Sequence, residues 1–262
     1  MMKSLIFAIC LSIFAPAVLA QPMELTADGY LEWQRGQQRF VAKDNVKAIQ
    51  GDTTITANMM SAVYSEKSGQ TGMALKDVTA TGNVIVTAKD ARASGDKAVY
   101  NMNTSYAEMT GATLKLSTPD QTLTAQERFE YWVDEGRLVA KGNVIVTRPK
   151  PNGAGEDTLS ADQLTAILKT DANGKRIIDT ITATGRVIIK TPTETITGSK
   201  GTYRASSNTA ELTGGVTIKR GPNILQGSRA TVDMKTSISK IYGGQASPSG
   251  EGRVRAVFYP GQ

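Results

Sequence analysis

The chain contains no histidine, so acid–base chemistry would depend mainly on its aspartates and glutamates. Without an imidazole, Ser-His-Asp and Cys-His catalysis, imidazole general bases and histidine-containing metal sites are excluded. A hydrolase that uses only carboxylates and a metal site with oxygen ligands both stay open. However, the sequence has no D-x-D-x-D-G loop and no G-x-S-x-G elbow. We therefore predict no catalytic site, no metal site and no cofactor.

One segment places two oxygen ligands close together: TDANG, Thr170–Gly174, with Asp171 and Asn173. Carboxylate and amide oxygens suit a calcium site. The Asn-Gly pair is also a strong signal for a tight hairpin turn. Because the spacing of a calcium loop is absent, we interpret the segment as a plain hairpin turn.

Residues 1–20 have the layout of a secretory signal peptide. A lysine is followed by the apolar run Leu5–Phe14 and by small residues that end at Ala20. The run is short for a membrane span of about 20 residues, which favours cleavage after Ala20 over a retained anchor. The mature domain would then comprise residues 21–262. The only cysteine, Cys10, lies in the removed segment, so the mature chain would have no disulfide.

The charge of the chain gives a weak indication of its partners. The net charge is +6 and the pI is about 9.3, which favours anionic partners such as phosphorylated lipid or a membrane surface. The basic residues are scattered, without runs and without interleaved aromatic residues. Export also argues against nucleic acid, so no nucleic-acid partner is predicted. A solvated, mildly basic surface is enough to explain the charge.

A short pattern, seen in ATGNVIVT at 80–87 and AKGNVIVT at 140–147, recurs along the chain. The copies follow one another at intervals of about 30 residues, with two longer intervals, which indicates a repeat architecture. Most copies carry glycine at the third position, and a position further upstream is always apolar or aromatic. The glycine positions hold Asp44, Gly82, Gly111, Gly142, Gly185, Gly214 and Gly243, and the upstream positions hold Trp33, Tyr64, Tyr100, Tyr131, Leu168, Tyr203 and Val232.

Within each copy, apolar residues alternate with polar ones, which is typical of a half-buried strand. Turn-rich stretches such as NMNTS and RASSN separate the strands. Each unit therefore predicts a hairpin of two long strands, and a last strand near RVRAVFY brings the total to about fifteen. Insertions after Tyr64 and Leu168 lengthen two of the units.

The repeated glycine occupies the same strand face as the apolar valines, so we place it on the inner side of the sheet. Glycine in a strand marks a bend or a close approach of backbones. We favour a corner that folds one sheet over another, and an interior trough is the alternative. Asn45, Asn83 and Asn143 follow this position, tolerate unusual backbone angles and are expected to point outward.

The stacked hairpins predict an all-β fold, an elongated and open roll of two sheets with an apolar interior. One repeat array favours one continuous domain. The stretch RPKPNGAGED, residues 148–157, is rich in proline and glycine. It falls inside a repeat unit, so we interpret it as a long loop and not as a domain boundary.

These features resemble the OstA-like lipopolysaccharide-transport family. The phrases LTADGYLEW, NVKAIQGDTTITAN, TYRASSNTAELTGGVTIK and GRVRAVFYPGQ carry the resemblance, which covers essentially the whole mature chain. It implies an elongated V-shaped β-jellyroll of about seven hairpin repeats. It also implies a periplasmic bridge, not an enzyme, that passes lipopolysaccharide from the inner membrane to the outer-membrane translocon. The implied partners are lipopolysaccharide, an inner-membrane LptC-like protein and an outer-membrane LptD-like protein.

A carrier of acyl chains must keep methylene groups out of water, each worth about 0.8 kcal/mol. A line of inward apolar residues can do this without directional chemistry, although ordinary core packing is the alternative for each residue. Lys141, Arg148 and Arg186 are candidate bases for phosphate groups. The candidate lipid-binding residues are Val84, Val86, Tyr100, Tyr131, Val144, Val146, Val187, Ile189, Tyr203, Val216 and Ile218.

An open roll has two edge strands with unpaired backbone groups, here near LTADGYLEW and GRVRAVFY. Strand addition at these edges predicts docking of the LptC-like and LptD-like partners and head-to-tail assembly of copies.

Three alternative functions stay open. They are an LptC-like or other OstA-like member of the pathway, a structural envelope protein that binds no lipid, and a carboxylate-dependent glycan hydrolase.

Overall fold

The computed structural model describes residues 22–66, 73–172, 174, 176–233, 235–236, 238–244 and 252–259, so the predicted signal peptide lies outside the described residues. The described chain forms one antiparallel sheet of 18 strands. The helical elements in these ranges are two 3-10 turns, Arg35–Gln37 and Pro151–Gly153. Neither is long or apolar enough to span a membrane. The predicted all-β fold is confirmed.

Consecutive strands are antiparallel neighbours over most of the chain. The strands are β1 Glu24–Thr26, β2 Tyr30–Gln34, β3 Arg39–Gln50, β4 Thr53–Glu66, β5 Met73–Ala88, β6 Ala91–Asn101, β7 Tyr106–Thr110, β8 Leu114–Ser117, β9 Thr122–Ala125, β10 Arg128–Trp132, β11 Arg137–Pro149, β12 Glu156–Thr170, β13 Arg176–Lys190, β14 Thr195–Arg204, β15 Thr209–Arg220, β16 Asn223–Asp233, β17 Ile238–Tyr242 and β18 Arg255–Val257.

The eight short strands combine into four pairs, and each pair lies beside one long strand and acts as a single interrupted strand. β1 and β2 both pair with β3, β7 and β8 with β6, β9 and β10 with β11, and β17 and β18 with β16. Counted in this way, the described chain has fourteen long strands, two for each repeat unit. The expected extra strand at RVRAVFY was wrong, because β18 continues the last strand of the seventh unit beside β16.

Five of the uninterrupted strands bend through a β-bulge at the position of the repeated glycine, which is Asp44 in β3 and glycine in the other four. The pairing of β5 with β6 shifts between Thr81 and Val84, and equivalent shifts occur in β3, β11, β13 and β15. Gly82 and Asn83 have φ angles of 76° and 50°. Two successive residues with a left-handed backbone suit glycine and asparagine, which adopt it at the lowest cost. The corner interpretation of the repeat is therefore correct.

The inward placement of the repeated glycine was wrong. A Cβ added at Gly82 would strike the side chain of Asn58, and one added at Gly142 would strike Glu127. Both of these neighbours are exposed on the outer surface. The bulge thus turns the glycine to the outer side of the bend, because the extra residue breaks the simple alternation of faces.

The bends divide the sheet into two halves. Half-sheet 1 consists of β2, β7, β10, β17 and the segments of the long strands that pair with them. Half-sheet 2 consists of β1, β8, β9, β18 and their paired segments. Inward residues of both halves form one hydrophobic core. The protein is therefore a roll in which two faces of one folded sheet enclose an apolar layer.

The two insertions extend the hairpins β4–β5 and β12–β13 beyond a second register shift, next to Tyr64 and Leu168. The Tyr64 N–H donates to the carbonyl oxygen of Gln38, and the Leu168 N–H donates to that of Gly136, at 2.9 and 2.8 Å. Each extension is thus tied to the turn of the preceding hairpin. Residues 67–72 of the first insertion lie outside the described residues.

The TDANG segment connects β12 to β13, as predicted. The Gly174 N–H donates to the carbonyl oxygen of Asp171 at 3.0 Å, which closes a turn. Asn173 lies outside the described residues.

Candidate functional site

The middle of the interior is closely packed. Leu114, Val144 and Val146 have no exposed surface, and Tyr131 is 5% exposed. Leu114 comes from half-sheet 2 and Tyr131 from half-sheet 1, so side chains of both halves fill the space between them. In this section the interior is closed.

All of the predicted lipid-binding residues point into the apolar layer. Val84, Tyr131, Val144, Val146, Val187 and Val216 are buried in the core, and Val86, Tyr100, Ile189, Tyr203 and Ile218 are partly buried against it. The prediction that these side chains point toward the interior is therefore correct. Their role in lipid binding stays a prediction.

The C-terminal third of the interior is open. An apolar cleft lies there between the two half-sheets, and its empty space, including the open solvent at its mouth, is about 730 Å³. Val187, Ile189 and Tyr203 line this C-terminal cleft, so the structure brings these three predicted residues together. The full lining is Leu159, Ile181, Ala183, Val187, Ile189, Ile196, Gly201, Thr202, Tyr203, Ala210, Glu211, Leu212, Ala230 and Val232.

Small residues on half-sheet 1 contribute to the space in the C-terminal cleft. Gly201 occupies a repeat position that holds alanine in most units and Phe129 in another. A Cβ at Gly201 would lie 3.4 Å from Leu212 and 3.8 Å from Val187, which are ordinary contacts. This glycine therefore leaves room that a side chain could occupy.

Sequence reasoning missed several lining residues, among them Ile181, Ile196 and Leu212. Their period-two pattern could have identified them as inward residues. The glycine at position 201 was the one sequence signal that pointed to extra space.

A smaller apolar cleft lies at the opposite end of the roll. Its empty volume is about 280 Å³, and its lining includes Leu25, Phe40, Met60 and Val78. The apolar layer therefore opens at both ends of the described chain and is closed in the middle.

The inward tyrosines remain neutral over a wide pH range. Burial raises the pKa of Tyr100 and Tyr131 above the usual value, and the Asp134 carboxylate adds to both increases, while the Arg176 guanidinium offsets part of the increase in the pKa of Tyr131. Burial also raises the pKa of Tyr203, whose hydroxyl donates to Asn208 Oδ1 at 3.0 Å. These phenols add mainly apolar ring surface to the interior.

The candidate phosphate-binding bases already have partners within the protein. Lys141 Nζ lies 3.0 Å from Glu130 Oε2, and Arg186 Nε donates to Asp162 Oδ1 at 2.8 Å. Arg148 lies opposite Asp157 in the pairing of β11 with β12. None of the three lines the C-terminal cleft.

Nothing in the described ranges forms a metal centre, since no group of three or more carboxylate or similar ligands converges there.

The two ends of the strand array are unpaired edges. β1 and β2 pair with β3 alone, and β17 and β18 pair with β16 alone. Apolar side chains are exposed at both ends, with Leu31 at 58% and Phe258 at 66%. Both edge strands are therefore unpaired on one side within the described chain.

Comparison with known proteins assigns this architecture to a family. A comparison with curated proteins found no match. The solved structure of LptH, described as the LptA homologous periplasmic component of the lipopolysaccharide transport device of Pseudomonas aeruginosa, aligns with 92% of this chain and 96% of its own at 14% identity and a TM-score of 0.22. The profile of the LptA/(LptD N-terminal domain) LPS transport proteins matches residues 26–131 and 125–238. Because the two profile matches together cover residues 26–238, most of the chain, the protein belongs to the LptA/LptD N-terminal domain family of lipopolysaccharide transport proteins.

Proposed function

We propose that the protein is a periplasmic bridge that holds the acyl chains of lipopolysaccharide between its half-sheets and passes the lipid from the inner membrane to the outer-membrane translocon. The observation that carries this proposal is the C-terminal cleft, which is apolar and lies between the two halves of the folded sheet.

The chemistry of the cleft suits alkyl chains. Each methylene group moved from water into such a space contributes about 0.8 kcal/mol. Ile189, Ile196 and Leu212 offer apolar surface without directional hydrogen bonds. A lipid held in this way can slide within the cleft, because contacts with apolar side chains have no preferred direction.

The unpaired edges support the role of a bridge. An added strand at β1–β2 or β17–β18 would satisfy free backbone groups and cover exposed residues such as Leu31 and Phe258. The proposed partners at these edges are an LptC-like protein, an LptD-like protein and further copies of this chain. Contacts between unlike edges produce a linear assembly, and such an assembly would align the apolar layers of successive molecules.

The closed middle favours a second candidate, a structural envelope protein that binds no lipid. Val84, Val144 and Val146 line neither of the two clefts, so a lipid could pass them only if the half-sheets separate. An LptC-like or other member of the same pathway is a third candidate, which the shared family allows.

Photo-crosslinking at two adjacent isoleucines tests the proposal. Ile189 lines the C-terminal cleft, whereas Ile188 lies on the outer face of the same strand. A photoreactive residue at position 189 should capture lipid A. The same photoreactive residue placed at position 188 in a second variant should capture almost none. Equal capture at both positions would refute binding in the interior. Absence of capture at 189 would favour the structural candidate.

A further inference from the structure

The outer face of half-sheet 2 carries two long rows of side chains that the proposed function does not use. One row runs from Thr26 on β1 through Lys115 on β8 to Arg255 on β18, and the other runs beside it from Glu24 to Val257. Residues on either side of each member point into the core, as Leu114 and Leu116 do beside Lys115. The rows therefore face outward along the whole array.

The charged residues of these two rows are almost all basic. Threonine and serine occupy half of the positions, isoleucine several more, and the one carboxylate in the two rows is Glu24 at the end. Six basic residues lie along the rows and all are exposed. They are Lys47, Arg92, Lys115, Lys190, Lys219 and Arg255.

The outer face of half-sheet 1 carries charges of both signs, and several of its basic residues have carboxylate partners. Arg128 and Lys141 contact Glu130 at 3.5 and 3.0 Å, and Arg229 contacts Glu211 at 3.4 Å. Within the described ranges, none of the six basic residues in the two rows takes part in an ion pair, whereas Lys150 and Arg220 at the ends of the same half-sheet pair with Asp157 and Glu194. The positive charge of the two rows is therefore uncompensated and available to an anionic partner.

The shape of the face selects among anionic partners. Thirteen steps between neighbouring strands, at about 4.8 Å each, give a strip about 60 Å long. The strip is two side-chain rows wide. A sheet of this size is expected to twist by about 20° per strand, so the strip winds around the molecule. A flat membrane would touch only a few strands, whereas a flexible chain molecule could follow the whole strip.

We propose that the outer face of half-sheet 2 binds a linear anionic polysaccharide. Lysine and arginine would pair with its carboxylate or phosphate groups, threonine and serine would hydrogen-bond its hydroxyls, and the isoleucines would pack on the apolar faces of its rings. The proposal is independent of the interior, because these side chains point away from the apolar layer.

Binding of an end-labelled alginate oligosaccharide, followed by fluorescence anisotropy, tests the proposal. Alginate is a linear chain of uronic acids, and a maltooligosaccharide of equal length serves as the neutral control. The full mature chain should bind alginate, bind maltooligosaccharide far more weakly, and release alginate as salt rises. Absence of alginate binding would overturn the proposal. Binding to phosphatidylglycerol vesicles without binding to alginate would overturn it in favour of a membrane surface.

Charge reversal locates the surface. The double variant Lys190→Glu and Lys219→Glu should weaken alginate binding by about tenfold, because both residues lie in one row of the face. The matched control is Lys200→Glu with Lys240→Glu, which makes the same charge change on exposed residues of half-sheet 1. The control should change binding by less than about twofold. Equal losses in the two variants would mean that only the overall charge matters and would overturn the proposal.

Capture of lipid A at position 189 should be the same in both double variants. Loss of alginate binding with intact lipid capture separates this proposal from the proposed function.

Discussion

The middle and the C-terminal third of the interior are built from the same repeat, yet one is closed and the other is open. In the middle, Leu114 from half-sheet 2 and Tyr131 from half-sheet 1 are both buried in the core, and neither lines a cleft. In the C-terminal third, the small residues Gly201 and Ala210 lie on half-sheet 1, and an apolar cleft remains between the halves. The repeat thus sets the direction of side chains, and the size of individual residues sets how much space they leave.

The largest expected contrast between the two sections concerns cavity formation. Leu114→Ala should lower the free energy of unfolding by about 3–4 kcal/mol, because the fully buried side chain leaves a void that cannot collapse. Ile196→Ala should cost about 1–2 kcal/mol, because Ile196 already borders empty space. Urea unfolding measures both values. Similar losses at the two positions would contradict the distinction between a closed and an open section.

A second contrast concerns the bulges of the two sections. Gly142→Ala should cost about 2–3 kcal/mol, because φ is 84° and the new Cβ would lie 2.9 Å from the backbone nitrogen of Glu127. Gly215→Ala has a similar φ of 71° but open space around the Cβ, so about 1 kcal/mol is expected. A cost at position 215 as large as that at 142 would show that the backbone angle alone decides.

A smaller effect is expected above pH 10 from the tyrosines. Burial raises the pKa of Tyr131 and Tyr203 in the folded state, whereas tyrosines of the unfolded chain ionise near pH 10. The folded state then binds more protons than the unfolded state, so stability falls as pH rises through this range. Tyr131→Phe and Tyr203→Phe should each reduce the slope of unfolding free energy against pH. An unchanged slope in both variants would contradict the assignment.

The same tyrosines can distinguish the two sections when lipid is bound. Lipid A in the C-terminal cleft should bury Tyr203 further and raise its pKa, and should leave that of Tyr131 unchanged. Tyrosinate absorbance of the two Phe variants, with and without lipid, measures this difference.

The smallest expected effect has the opposite sign. Gly201→Ala should stabilise the fold by about 0.5 kcal/mol, because its Cβ fits and the unfolded chain loses conformational freedom. Thermal unfolding of this variant beside Gly215→Ala measures the difference in sign. A loss of stability at position 201 would show that its backbone is strained and not merely spacious.

Much of the fold could be predicted from the sequence, since alternation fixes which residues point inward. That pattern placed Val144, Val187 and Tyr203 correctly. It failed at the repeated glycine, because a bulge inserts a residue and reverses the face on which Gly82 lies. The same pattern led to β18 being counted as an extra strand, because the sequence does not show that β17 and β18 share β16 as a neighbour.

The candidate site was harder to predict. The C-terminal cleft depends on the distance between half-sheets and on pairs such as Val187 and Gly201, which belong to different strands and different halves. A single sequence gives the direction of each side chain and does not give the volume left between two facing layers. The closed middle could not be predicted for the same reason.

The row of bulges has a mechanical consequence. Backbone hydrogen bonds of the ladder lie within each half-sheet, and in β3, β5, β11, β13 and β15 the halves are joined through residues such as Gly142 and Asn143. The strands β4, β6, β12, β14 and β16 also run through both halves, so small backbone rotations where all ten strands cross the bend would change the angle between the halves without breaking the ladder. We therefore expect a molecule that is stiff along the strand array and compliant across it. Residual dipolar couplings of amides in the two halves would measure that compliance.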